Sequence, residues 1–238
     1  IVVGFPKNIV AVVEPAEVVS FFDTLTGKAV MVILIIAGLL WYAVYPIWLA
    51  IKWYKAGRDP RQFSPVSAWF DPPKDDKGRT LTPAETGTLY DEQADMADVV
   101  ATIVDLARRG YIRIEERKKK RFYLVKTGKT VADAPLLFES DLLEDVFGSS
   151  DEVELKQNMD LYDAVTDCKE ALHKQVVTAG LFPTNPQSVR NFYGGVTVAA
   201  LFTGNILLFL TSLIFGRAMS RRTLFGAEQL GIAKSLRN

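Results

Sequence analysis

The chain has 238 residues, 49% of them hydrophobic, and its 28 basic and 28 acidic residues give a formal net charge of zero. The charge is uneven: residues 74–174 hold 16 basic and 22 acidic residues, a net charge of −6, so the remainder of the chain is basic. The single cysteine, Cys168, excludes an intrachain disulfide framework. About a hundred residues in the acidic middle segment are enough for one compact core.

The first predicted element is a transmembrane helix at residues 28–55. Residues 29–51 contain no charged side chain and are bounded by Lys28 and Lys52. As a helix this run would measure about 34 Å, which is enough to cross the hydrocarbon core of a bilayer with slight tilt. Pro46 predicts a bend in its second half. Aromatic residues typical of a membrane interface crowd the same half: Trp41, Tyr42, Tyr45, Trp48, Trp53 and Tyr54.

The charges beside this span predict its orientation. Glu14, Glu17 and Asp23 precede it, whereas four cations follow it within ten residues: Lys52, Lys55, Arg58 and Arg61. Lys and Arg close to the end of a span mark the cytoplasmic side. We therefore expect residues 1–27 outside the cytoplasm and residues 52–190 inside it. The sequence IVVGFP at residues 1–6 is typical of the last strand of a larger domain, so residues 1–27 are expected to be the C-terminal remnant of an extracytoplasmic β-domain.

Two helices and a hairpin are predicted at residues 81–130, after a Pro-rich tether at residues 56–80. A capping-box pattern, Thr82 with Glu85, starts the first helix, and Asp95 is expected to cap the second. The apolar residues of the second helix are expected to form one broad buried face: Met96, Val99, Val100, Ile103, Val104 and Leu106. Alternating apolar residues then predict two strands joined by a basic turn. The predicted fold class is an α-helical membrane protein, with transmembrane helices plus a cytoplasmic α+β winged-helix-like domain and a helical extension.

The acidic helical extension is predicted at residues 131–190. Apolar periodicity indicates one helix over about residues 136–147, ended by Gly148, and another over about residues 159–179, ended by Gly180. The first of these helices is expected to bury five residues: Phe138, Leu142, Leu143, Val146 and Phe147. Its other face carries Asp141, Glu144 and Asp145. We interpret these carboxylates as a solvated face, or alternatively as an acidic docking face for a basic partner.

Residues 191–216 are predicted to enter the membrane, either as one segment or as a hairpin, and residues 217–238 to form a basic cytoplasmic tail. Residues 196–215 are almost entirely apolar, which is enough for one crossing. One crossing would carry Arg221 and Arg222 outside, against the charge rule. A hairpin with residues missing between two partly covered spans would return the tail to the cytoplasm, and the Gly–Asn pair in the middle of the run favours a break in the helix.

Several of these segments resemble a family of predicted bacterial membrane proteins, domain of unknown function 2207. The most specific are LTPAETG at residues 81–87 and DVVATIVDLARRGYIRIEE at residues 98–116. Shorter matching pieces lie along most of the chain: residues 4–7, 53–54, 57–60, 147–148, 180–182, 222–223 and 226–228. The resemblance implies an extracytoplasmic N-terminal domain, a span, a cytoplasmic winged-helix-like region and further spans. It implies no established activity.

The basic turn is the one cationic cluster of the predicted domain: Arg117, Lys118, Lys119, Lys120 and Arg121. We interpret it as a solvated hairpin tip, or alternatively as a contact for anionic lipid headgroups worth about 1 kcal/mol per cation. Contact with a protein partner and a DNA-contacting wing are further options.

Enzyme signatures are weak in this sequence. Cys168 and His173 lie five residues apart on one predicted helix, which rotates their side chains about 140° apart, so they are not expected to form a catalytic pair. The sequence has no Gly-rich phosphate loop, nucleophile elbow or zinc-ligand set. We therefore expect no catalytic residue, cofactor or metal in these residues.

These patterns favour a non-catalytic protein of the bacterial inner membrane that binds other proteins as a scaffold component, with the lipid bilayer and those proteins as its partners. The alternative is a membrane-tethered transcription regulator, which would need a basic face from Arg108, Arg113 and the lysines at 118–120. The net charge of −6 disfavours nucleic acid, and Asp98 and Asp105, expected on the exposed face of the second helix, would meet phosphates with the wrong sign. A transporter or channel subunit is a third class, but no ionisable residue in the predicted spans marks a pathway. No pattern in the chain specifies an oligomeric state.

Overall fold

The computed structural model of the protein describes residues 19–60, 71–118, 121–129, 136–155, 159–216 and 218–237. The chain divides into two compact units, Ile1–Tyr45 and Pro46–Asn238. The predicted β-domain remnant at residues 1–27 and the middle of the Pro-rich tether fall mostly outside the described residues.

Helix α1, Leu25–Gly57, contains the predicted membrane span. Thr24 caps its start, because the Thr24 hydroxyl oxygen accepts a hydrogen bond from the Gly27 N–H at 3.1 Å. Only 6% of its most apolar 18-residue stretch is buried, whereas a core helix of this composition would be largely covered by protein. The apolar surface of α1 is thus available to lipid.

Pro46 alters α1 in the turn that precedes it. The backbone over Leu40–Val44 widens into a π-type turn, in which the Tyr45 N–H donates to the Leu40 carbonyl oxygen five residues earlier. Proline has no N–H, and its ring clashes with the carbonyl oxygen four residues before it, so a widened turn accommodates it. The helix continues through this turn to Gly57.

Two capping boxes set the starts of the next helices. Thr82 and Glu85 form the box at the start of α2, Pro83–Asp91, and Asp95 with Asp98 forms the box at the start of α3, Met96–Arg108. Each box satisfies backbone N–H groups that a helix start otherwise leaves unpaired. The predicted starts of both helices are confirmed.

The hairpin after α3 belongs to a sheet of three antiparallel strands. Strand β1, Ile112–Lys118, pairs with β2, Arg121–Lys126, so that Ile114 lies opposite Leu124. Strand β3, Glu152–Glu154, adds to the other edge of β2. The sequence predicted the hairpin but not the third strand.

Two helices flank β3 in the chain and pack on each other. Helix α4, Leu137–Phe147, ends at Gly148, and helix α5, Met159–Thr178, is followed by Gly180 with a φ of 73°. Both ends agree with the predicted positions. The five apolar residues predicted to be buried in α4 are buried or half-buried, so the periodicity argument is correct for this helix.

The apolar C-terminal run forms a helical hairpin. Helix α6, Pro186–Phe202, and helix α7, Ile206–Gly216, are separated by a turn at Gly204, whose φ is 68°. The Thr197 and Ser212 hydroxyls lie 2.9 Å apart across the two helices.

Tyr193, one turn before Thr197, packs against Gly216, one turn after Ser212. The two helices are therefore antiparallel, because positions earlier in α6 lie opposite positions later in α7. The chain does not form one unbroken helix over residues 196–215.

Helix α8, Leu224–Arg237, occupies the region predicted as a basic tail and packs on the core. Leu230 belongs to a buried cluster with Leu89 of α2 and Leu181 after α5. The Thr223 hydroxyl donates to the Gly180 carbonyl oxygen at 2.6 Å, which fixes the start of the helix. A second apolar cluster joins α2, α3, α4 and α5, and a third joins α3, α4 and the sheet.

Candidate interaction surface

Helix α3 carries an exposed apolar stripe, which we define as Met96, Val100 and Val104. These side chains are 53%, 50% and 53% exposed, and their four-residue spacing places them in one line along the helix. On the opposite side Val99 packs on α4 and α5, and Leu106 packs on α4 and the sheet. The described part of the domain thus leaves a continuous apolar surface uncovered on α3.

The sequence predicted that all three residues of the apolar stripe are buried, and this prediction is wrong. Three polar side chains turn inward, and each is at most 7% exposed: Asp98, Thr102 and Asp105. All three have hydrogen-bond partners within the protein, which is what allows polar groups to be buried. The prediction failed because it grouped residues by hydrophobicity alone.

Asp98 holds the start of α3 against α2. Its Oδ2 atom accepts hydrogen bonds from the Asp95 N–H at 3.2 Å and the Thr88 hydroxyl at 3.3 Å. A Cβ on Gly87 would collide with the Asp98 carboxylate, so the observed position of the carboxylate depends on glycine at that position. Burial raises the pKa of Asp98 to about 6, although the hydrogen bond from Asp95 opposes the shift. The expectation that Asp98 faces outward is wrong.

Asp105 also turns inward, contrary to its expected exposure. Its Oδ1 atom accepts from Arg108 Nη2 at 2.8 Å, and its Oδ2 atom lies 2.8 Å from Arg109 Nε. Arg109 in turn donates to Glu139 of α4 at 2.5 Å. Glu139 is only 1% exposed, and burial raises its pKa, although Arg109 opposes the shift. These ion pairs connect α3 to α4.

The basic turn is partly neutralised by carboxylates of the sheet. Arg117 donates to Glu115 at 3.0 Å and to Glu152 at 2.5 Å, and Arg121 lies 3.7 Å from Glu154. The side chains of the three lysines between them fall outside the described residues. Two of the five cations of the turn therefore already have partners on the sheet, and a role of the turn in lipid or partner contact stays a prediction.

The predicted acidic face lies on the exposed side of α4. Asp141, Glu144 and Asp145 are all exposed. Burial raises the pKa of Asp145, and the like charges of Asp167 on α5 and of its two neighbours on α4 add to the shift. The geometry agrees with the periodicity argument, and the docking role of this face stays a prediction.

Cys168 and His173 both lie in the interior of the domain. Burial raises the pKa of the Cys168 thiol to about 12, so a thiolate does not form at neutral pH. His173 Nε2 accepts a hydrogen bond from the Ala94 N–H at 3.3 Å. Burial lowers the pKa of His173 to about 4, with a smaller contribution from Arg190. Both groups are neutral at pH 7 and pack within the fold.

Arg222 is a buried hub that sequence reasoning missed, having assigned it to a basic tail. It is 6% exposed and its guanidinium donates to Asp59 at 2.5 Å and to Glu92 at 2.7 Å. It also donates to the carbonyl oxygens of Leu89 and Tyr90. The segment that follows α1 and the C-terminal end of α2 are thus held by one side chain. The only signal for this hub was that residues 57–60 and 222–223 both matched the family.

An exposed apolar helix, joined in the chain to a mostly helical domain with a small sheet, is typical of a membrane protein. Residues 65–233 match the family model described as Predicted membrane protein (DUF2207) C-terminal domain. Because this match covers more than half of the chain, the chain belongs to that family, and the resemblance seen in the sequence is confirmed. No curated protein and no solved structure matches the chain.

Proposed function

We propose that the protein is a non-catalytic component of a bacterial inner-membrane complex, and that its winged-helix-like domain binds another protein through the apolar stripe. The observation that carries this proposal is that Met96, Val100 and Val104 are half-exposed and lie in one line along α3. Burial of apolar surface stabilises a complex by about 25 cal/mol per Å² before the costs of association. The stripe fits a partner that presents an apolar helix or strand.

The chemistry of α3 favours protein over DNA as the partner. In a winged-helix module this helix would enter the major groove, where base edges are recognised by hydrogen-bonding side chains. The stripe offers only methyl, methylene and thioether groups, and Arg108 beside it is paired with Asp105. The net charge of −6 over residues 74–174 also opposes approach to a duplex.

The charges that flank α1 support a cytoplasmic position for this domain. Cations follow the uncharged run and acidic residues precede it, a pattern that favours the N-terminal end outside and the domain inside. A non-catalytic role is supported by the burial of Cys168 and His173, whose shifted pKa values keep both groups neutral.

The proposal is tested by native mass spectrometry of the full-length protein extracted in mild detergent. We expect a stoichiometric protein partner on the wild type, and loss of that partner from Val100→Glu, because a carboxylate in the apolar stripe would have to be desolvated. The matched control is Tyr162→Glu, which places the same charge at an exposed position of α5 that is 69% exposed and lies outside the stripe. This control should retain the partner.

Three outcomes would overturn the proposal. A clean monomer or homo-oligomer would show that no protein partner is bound. Equal loss of the partner from both variants would show that binding does not depend on the apolar stripe. Co-purification of a defined DNA sequence, lost on raising salt, would favour the membrane-tethered regulator instead.

A further inference from the structure

A cavity of about 500 Å³ lies between the C-terminal end of α1, the first turns of α6 and the segment before α8. Its lining includes Lys52 from α1, Ser188, Phe192 and Tyr193 from α6, and Arg221 from the segment before α8. The volume lies in the range of sites that hold small molecules. Neither the family assignment nor the apolar stripe accounts for this cavity.

The charge of the cavity selects an anion. Its described lining residues include two cations, Lys52 and Arg221, and no carboxylate. Arg221 is exposed and has no ion-pair partner among the residues that the structure describes. The Lys52 amino group donates to the Tyr193 hydroxyl at 3.3 Å, which leaves its other N–H groups available. An arginine fork beside a lysine matches the oxygens of a phosphate ester.

The position of the cavity points to a lipid as the source of that phosphate. Lys52 directly follows the uncharged run of α1, so the cavity lies at the depth of lipid headgroups. Phe192, which lines the cavity, is 60% exposed, and Met219 adds a second apolar side chain to the wall. Two cations together with apolar side chains complement the phosphate and glycerol of a phospholipid.

We propose that this cavity binds the phosphate group of an anionic phospholipid. Lys52 and Arg221 hold the phosphate oxygens, and the Ser188 and Tyr193 hydroxyls are available to donate to them. Such a site would fix the domain against the membrane surface at the point where α1 ends.

The test is native mass spectrometry of the full chain in detergent, titrated with phosphatidylglycerol or phosphatidylcholine. We expect retention of phosphatidylglycerol in preference to phosphatidylcholine by about thirtyfold, given two cations at about 1 kcal/mol each at a membrane surface. The double variant Lys52→Gln with Arg221→Gln should lose this preference. Lys55→Gln with Arg113→Gln removes the same charge from exposed positions outside the cavity and should keep it.

A third variant separates the cavity from its charge. Ser188→Trp keeps both cations but fills the cavity from an exposed position, so it should also lose phosphatidylglycerol. Equal lipid retention by the two double variants would overturn the proposal, as would full retention by Ser188→Trp. Displacement of the lipid by millimolar inorganic phosphate would show that the cavity takes the free anion, and would overturn the assignment to a lipid.

Discussion

Two buried side chains, His173 and Asp98, make the stability of the domain depend on pH in opposite directions. Burial lowers the pKa of His173 from 6.5 to about 4, so its contribution to the free energy of unfolding is lost as pH falls from 6.5 towards 4. Burial raises the pKa of Asp98 from 3.8 to about 6, so its contribution is lost as pH rises from 3.8 towards 6. The two effects partly cancel in the whole protein.

A single substitution separates the histidine contribution. His173→Gln leaves a side-chain oxygen that can accept from the Ala94 N–H but removes the titration. Between pH 7.5 and 4, the wild type should lose about 3 kcal/mol more unfolding free energy than the variant. The measurement is urea unfolding of the full chain in mild detergent at several pH values. The Asp98 contribution is common to both proteins and cancels in the difference, so parallel pH profiles would contradict the prediction.

Predictions for single residues were correct where the hydrogen-bond partner of the residue lies close to it in the sequence. Thr82 caps α2 through Glu85, three residues away, and the pattern that shows this lies within one turn. Asp98 turned inward for a different reason: its partners include Thr88 and Gly87 of α2. Which face of α3 is buried thus depends on a neighbouring helix, and this information is not contained in the periodicity of α3 itself.

At the scale of elements, the docking of α8 depends on one close approach. Gly226 lies so near the Leu181 carbonyl oxygen that a Cβ would collide with it, and a backbone atom cannot rotate away. Gly226→Ala should therefore lower the free energy of unfolding by about 1–3 kcal/mol, as overpacking does. Thermal denaturation of the full chain in detergent measures this.

Gly195 provides the matched control for that substitution. It lies within α6, and a Cβ there would meet nothing within 4 Å. Gly195→Ala should be neutral or stabilising by up to about 1 kcal/mol, because alanine has the higher helix propensity. Equal denaturation temperatures of the two variants would contradict the close approach of α8 to Leu181.

The ends of helices that are followed by glycine were predicted well. The strand that depends on pairing with a neighbouring strand was not. Gly148 and Gly180 marked the ends of α4 and α5 because both adopt positive φ angles. Strand β3, Glu152–Glu154, has only three residues, and it forms because the free edge of β2 pairs with it. Such a short strand has too few residues for an alternating pattern to show in the sequence.

For the whole molecule, the family-specific segments meet at joints between elements. The pieces at residues 57–60 and 222–223 meet where Arg222 binds Asp59, and the piece at residues 180–182 contacts residues 223 and 226. These contacts join parts of the chain that lie up to 163 residues apart. The recognised motifs therefore hold elements of the domain together. This is why they identified the family without indicating an activity.

The packing of α8 predicts that it lies on the same side of the membrane as the helices it contacts. Leu230 shares a buried cluster with Leu89 and Leu181, so α2, α5 and α8 lie on the same side. Both ends of the α6–α7 hairpin then lie on that side, so a hairpin that enters the membrane would avoid the conflict between a single crossing and the charge of the following segment.

Cysteine accessibility in spheroplasts tests this topology. Lys174→Cys on α5 and Glu228→Cys on α8 are exposed and should react with a membrane-impermeant maleimide only after the membrane is opened. Asp23→Cys should react in intact spheroplasts, because the flanking charges predict an extracytoplasmic position for it. Cys168 does not interfere, since it is buried and burial raises its pKa to about 12. Labelling of Glu228→Cys but not Lys174→Cys in intact spheroplasts would contradict the shared core. Labelling of Lys174→Cys and Glu228→Cys but not Asp23→Cys in intact spheroplasts would reverse the orientation and leave that core intact.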